Sequence, residues 1–297
     1  MKLTGLGKFL IFLIGAGLVA AAIWKFAPNG LRERVTGTSN AGATATNRTE
    51  PSNNATPSSS PSSGSTRASS AASAAMDGWV EVAGGLFRSG ADAVSINVAA
   101  FRIQATEVTN AMYTKFLDDC PVGDICGPRD LPSYWDDADY LSRHPDLPVV
   151  FVTWGDASAY CSWAKGRLPT ALEWEKAARG TDGRPFPGGS SIDPASINLL
   201  GSEGRDAKQR AARQMPAWAV TDPRYARDRS PYGVLGMAAN VSEWTSSAAE
   251  EEPSMRYAAG ASWDSWDLSD ARAYTRIPKN PNDRSSSVGF RCAASAR

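Results

Sequence analysis

The apolar positions of this chain fall into three regimes. Phe9–Trp24 (FLIFLIGAGLVAAAIW) is uncharged and mostly apolar, with Lys2 and Lys8 before it and Lys25, Arg32 and Arg34 after it. A membrane-spanning helix needs about 20 such residues. The run reaches that length by taking in Leu3 to Gly7 or Phe26, with Lys8 reaching back toward the interface. Ala20, Ala21 and Ala22 also allow a cleavable signal peptide, whereas the basic cluster close behind favours an uncleaved anchor over residues 1–27. From Thr36 to Ala75 no Leu, Ile, Val, Met or aromatic residue occurs. Such a segment buries too little apolar surface to offset the entropy of ordering, so 28–78 is expected to be a disordered linker and a flexible tether.

Residues 79–297 mix apolar and polar positions at short range. In TNAMYTKFLDD, Thr109 is a helix N-cap, and Met112–Phe116 and Tyr113–Leu117 fall at i, i+4. In PTALEWEKAARG, Thr170 and Glu173 spell a capping box and Gly180 stands where a left-handed C-cap belongs. Between them TWGDASAYCSWAKG predicts a third short helix, with Ala157, Cys161 and Ala164 on one face. Frequent Gly, Pro and Asp elsewhere predict short strands and many turns. The fold class is α+β with a high irregular content.

Composition narrows the chemistry. The 297 residues carry 31 basic and 31 acidic side chains, which argues against a nucleic-acid partner. One histidine, His144, rules out a His-rich metal site and makes a His-dependent triad improbable. Trp79 and eight later tryptophans can build a sizeable core. Cys120 and Cys126, in DDCPVGDICGPRD, are close enough for a local bridge, and the four cysteines have poor zinc spacing. Paired cysteines fit disulfides in a domain outside the cytoplasm.

Five ordered blocks then become specific: FRIQATEVTNAMYTKFL, HPDLPVVFVTWGDASAYCSWAKGRLPTALEWEKAARG, RSPYGVLGMAANVSEWTSS, GASW and VGFRCA. Together they resemble the formylglycine-generating enzyme (sulfatase-modifying factor) family over essentially all of 79–297. The resemblance implies that family's irregular C-type-lectin-like fold. It also implies a structural disulfide between Cys161 and Cys292, closing a loop of about 130 residues worth roughly 5 kcal/mol in the chain-entropy model. Trp174 and Trp244 read as core aromatics, Gly289 as a site of close backbone approach, and Arg291 as a buried guanidinium.

Active members resemble copper-dependent oxidases of a sulfatase cysteine, holding Cu(I) on two cysteines. Soft thiolates suit Cu(I). In GASWDSWDLSD, Ser265 and Asp270 stand at those two positions, so copper is not expected and no catalytic residue is assigned. The family's iron-dependent branch needs a His-rich site, which one histidine does not supply. The resemblance implies calcium at Glu243 with the backbones of Ala239 and Val241, although Gly236 replaces an Asn or Asp ligand, and at a second site around Asn198 and Leu199, with Asp206 a weaker match.

Without the redox ligands, Asp264, Ser265, Trp266, Asp267 and Asp270 read as a binding surface for a protein or glycan ligand, with Trp263 pointing inward. The expected protein is a single-pass inner-membrane binding module with its domain in the periplasm or outside the cell. Two alternatives stand beside it: an enzyme of the family with altered chemistry, and a retroelement-diversified variable binding protein, whose C-terminal frame is similar.

Overall fold

The computed structural model describes residues 78–120, 140–199 and 217–297. The N-terminal apolar run and the polar linker lie outside them. Among the described residues no helix is long and apolar enough to cross a membrane.

The helices start where side-chain caps satisfy their first amides. α1 (Asn110–Asp119) is capped by Thr109, whose hydroxyl accepts from Met112 N at 3.3 Å. After α2 (Tyr140–Arg143), α3 (Trp154–Trp163) opens on a reciprocal box between Thr153 and Asp156. α4 (Ala171–Arg179) opens on the expected Thr170–Glu173 box, and Arg167 also grips the Glu173 carboxylate, at 2.6 and 2.7 Å. Gly180 ends α4 at φ +76°, as expected of a glycine there, but its ψ of −148° carries the chain away extended. That path brings the carbonyls of Gly183 and Arg184 to the buried guanidinium of Arg179.

The strands are short: β1 (Trp79–Val82), β2 (Gly85–Ser89), β3 (Val94–Val98), β4 (Phe101–Gln104), β5 (Ser242–Ala248), β6 (Arg256–Ala259), β7 (Arg276–Lys279), β8 (Val288–Gly289) and β9 (Ala293–Ser295). They form a sheet of order β1-β4-β9, a β2–β3 hairpin and a sheet of order β7-β6-β5-β8. β8 runs parallel to β5, and a Cβ on Gly289 would meet Val149 O at 2.8 Å, the close approach expected there.

One core packs α1 and α3 against β5 and β8 through Tyr113, Phe116, Tyr160, Trp244 and Phe290. The Cys161–Cys292 bridge, with Cα atoms 5.4 Å apart, joins α3 to the residue just ahead of β9. Cys120 is also disulfide-bonded; Cys126 lies outside the described residues. A second core places Trp174 and Ala177 of α4 against Val82, Phe101 and Ala259. Mixed short strands and capped helices of this kind make an α+β fold.

Candidate functional site

Two neighbourhoods correspond to the sequence expectations. The first is buried. Trp174 of α4 donates its indole N–H to Glu243 Oε2 at 2.8 Å. Arg291 forks onto the same carboxylate, Nε to Oε2 at 2.6 Å and Nη2 to Oε1 at 2.7 Å. Its remaining donors reach Leu235 O at 2.9 Å and Gln104 O at 3.3 Å. Glu107 stands behind this pair, 3.8 Å from Arg291 Nη2, with Oε1 accepting from Asn240 Nδ2 at 3.2 Å and Oε2 without a hydrogen-bond partner. Asp228 accepts from Ala238 N at 2.7 Å.

Arg291, Glu243 and Glu107 expose none of their surface. A buried charge is costly unless paired. Arg291 neutralises Glu243 directly. Burial, the largest influence, pushes the Glu107 carboxyl up to about 8 despite the pull of Arg291. Burial likewise pushes Asp228 up to about 7, against the backbone N–H groups of Ala238 and Ala239.

The calcium ligands implied by the resemblance lie beside this cluster. Asn240, at φ +106°, holds Asn198 against the 239–243 turn: its Oδ1 accepts from Asn198 Nδ2 at 3.0 Å and from Trp218 N at 2.7 Å. The structure therefore brings Asn198, Leu199, Ala239, Val241 and Glu243 into buried backbone around one asparagine. Both Glu243 oxygens, however, face cationic or N–H donors at hydrogen-bond distance, so calcium ligation there would require breaking the Arg291 pair. Asp206 lies outside the described residues. Glu107 and Asn240 lie within the family-like blocks, but neither they nor Asp228 were assigned a role from the sequence. Both carboxylates are buried by the fold.

The second neighbourhood is exposed. Beyond β6 the chain turns at Gly260 (φ +78°), where a Cβ would come within 3.0 Å of the Trp174 ring. It then runs along the buried turn, with Ala261 N on Ala238 O at 3.2 Å and Trp263 N on Asn240 O at 2.9 Å. Trp263 points inward as expected, its Nε1 donating to Ser286 O at 3.0 Å and its ring packing with Val150, Ala217 and Val241.

The next residues fold on themselves. Ser262 Oγ donates to Asp264 Oδ1, and Ser265 Oγ accepts from Ser262 N at 3.1 Å. Asp267 caps the 3₁₀ turn Leu268–Ala271 by accepting from Ser269 N at 2.8 Å, and that hydrogen bond holds its carboxyl below the usual range. Asp270 accepts from Asp267 N. Trp266 projects from this turn with 68% of its surface exposed. Asp264 and Asp267 are exposed, and Ser265 and Asp270 half-buried.

The donor set here does not fit Cu(I). Ser265 offers a neutral hydroxyl, Asp270 a hard carboxylate, and the described cysteines are in disulfides.

Comparisons with known proteins place this arrangement in context. Residues 65–296 match the model of the sulfatase-modifying factor enzyme 1-like domain. The inactive C-alpha-formylglycine-generating enzyme 2 of Bos taurus is 40% identical over 159 residues, covering 51% of this chain and 51% of its own. The hercynine oxygenase of Mycolicibacterium smegmatis is 31% identical over 211 residues, covering 57% of this chain and 45% of its own. The chain thus spans about half the length of these curated relatives. A crystal structure of CarF superposes with a TM-score of 0.53 at 21% identity, over 74% of this chain and 98% of CarF, a likeness of fold.

Proposed function

Because the chain belongs to the sulfatase-modifying factor enzyme 1-like domain family, we propose that residues 79–297 form a binding module of that family that does not carry out copper oxidation. The observation that carries this reading is Trp266. It stands 68% exposed on a turn braced by Asp267 and Asp270, at the place where the resemblance puts the copper thiolates. A large aromatic held out on a fixed turn loses little entropy when a partner covers it. The partner is a protein or a glycan. Similarity to an inactive relative of the formylglycine-generating enzyme supports the same direction.

In this reading the apolar run Phe9–Trp24 anchors the chain in the inner membrane, the 28–78 tract tethers the domain, and 79–297 lies outside the cytoplasm. Composition and paired cysteines support that placement. Alkaline phosphatase fused after residue 78 is then active; inactive fusions overturn the topology.

The module itself is tested by incubating the full chain with copper, a reductant and a peptide carrying Cys-x-Pro-x-Arg. No aldehyde is expected above a copper-only control, and aldehyde formation overturns the reading. Similarity to a hercynine oxygenase favours a second reading, an enzyme of altered chemistry. Oxygen-dependent turnover of hercynine by the full chain would support it instead.

A further inference from the structure

Away from the Trp266 turn, a cleft of about 460 Å³ opens beside β6 and β7 of the four-stranded sheet, lined by Ala249, Glu251, Glu252, Tyr257, Arg276 and Pro278. Its volume lies within the range of roughly 300–1,000 Å³ typical of small-ligand sites. Tyr257 of β6 and Arg276 of β7 are already fixed. The guanidinium sits 5.0 Å over the phenol ring, the tyrosine hydroxyl accepts from Glu250 N at 3.2 Å, and Arg276 Nη2 reaches Glu250 Oε1 at 3.4 Å. Glu251 and Glu252 line it from the β5–β6 connection.

We propose that this cleft binds a neutral saccharide, through hydroxyl groups that donate to Glu251 and Glu252 and accept from Arg276, with a sugar C–H face against Tyr257 and Pro278. The mixture of charges selects the class. An anionic ligand would meet two carboxylates at close range, and a cationic one would lie beside the Arg276 guanidinium, which Glu250 already pairs. A polyhydroxylated ligand without net charge satisfies both signs at once, since each hydroxyl donates and accepts. Hydrogen bonds to charged groups are stronger than neutral ones, and the electron-rich face of a tyrosine ring favours the polarised C–H groups of a pyranose.

Edge-strand addition is disfavoured at the same place. Thr275 O accepts from Gly260 N, so alternation turns Pro278 outward, where it offers no N–H to an incoming strand.

The test uses the purified full chain in a detergent without a sugar headgroup. Saturation-transfer NMR is run with a panel of neutral mono- and disaccharides, a sialic acid and an oligolysine peptide. Binding by at least one neutral sugar is expected. The Glu251→Gln/Glu252→Gln double variant should weaken it about tenfold or more, the usual loss when a charged hydrogen-bond partner goes, and Arg276→Gln should weaken it likewise. Both changes are at exposed positions, and an unchanged melting temperature shows that the fold survives. The proposal fails if no neutral sugar binds, if only the acidic sugar or the peptide binds, or if a bound sugar is indifferent to both variants. Leu86→Ser, at an exposed position of β2 outside the cleft, leaves saccharide binding unchanged.

Discussion

The Arg291 cluster and the Trp266 turn use the same materials, tryptophan and carboxylates, and they touch: Trp263 N donates to Asn240 O. Their environments give those materials opposite roles. Trp174 and Trp244 are buried and donate their indole N–H groups to Glu243 Oε2 and Val152 O. Trp266 is mostly exposed. Glu243 and Glu107 are enclosed in protein, so each is either paired or protonated. Asp264 and Asp267 stand in water and hold only local turns. The contrast teaches that charge enclosed in this fold is architecture, while aromatic surface left outside it is available for recognition.

The largest effect that could break this comparison comes from Arg291. Replacing it by Met leaves Glu243 without its counter-charge beside Glu107 and Asp228, and breaking a buried pair costs about 3–5 kcal/mol. Arg291→Met should shift the urea midpoint strongly downward or abolish soluble expression; a midpoint within error of wild type would show that the cluster is not structural.

A smaller effect sharpens the protonation argument. The Glu107 carboxyl is raised to about 8 and Asp228 to about 7. A raised carboxyl binds its proton more tightly in the folded state than in the unfolded one. The stability it supports is fully present below the ordinary carboxylate range and is lost as pH climbs toward 7 and 8. In that window each such group tilts stability by up to about 1.4 kcal/mol per pH unit. Glu107→Gln keeps an acceptor for Asn240 and carries no titrating proton. Its stability between pH 5 and 8 should fall less steeply than that of wild type in paired chemical denaturation series. Parallel slopes would mean that Glu107 is ionised throughout.

The smallest effect belongs to the exposed side. Trp266→Ala should change stability by less than about 0.5 kcal/mol, as surface substitutions do, while lowering recovery of whatever partner the domain captures. A melting temperature several degrees lower would mean that the ring is packed in solution.

What could be read from the sequence follows the range of each interaction. The Thr109 cap, the Thr170–Glu173 box and the helices they start depend on neighbours three or four residues away, so the sequence displays them. The inward turn of Trp263 and the exposure of Trp266 followed from the family frame. The order β1-β4-β9 did not follow, because strands of three or four residues carry too little alternation to declare a partner nearly 200 positions away. The roles of Glu107 and Asp228 were unreadable for the same reason: Glu107 meets residues 240, 243 and 291, and Asp228 meets the amides of 238 and 239 with 291 and 243 nearby, none within one helical turn of it.

The C-terminal strand also sets a timetable. A chain synthesised only as far as Ser287 has Glu107 and Glu243 but no Arg291 to receive them, Cys161 but no Cys292 to join, and β4 with one edge still vacant. Local helices can flicker at that stage, yet the cooperative structure has no way to close, because its contacts are dominated by distant pairs. Residues 288–295 thus close the ion pair, the disulfide and the sheet edge together. Loss of residues 288–295 would therefore act on both cores at once, since Val288, Phe290 and Cys292 belong to one and Ala293 to the other.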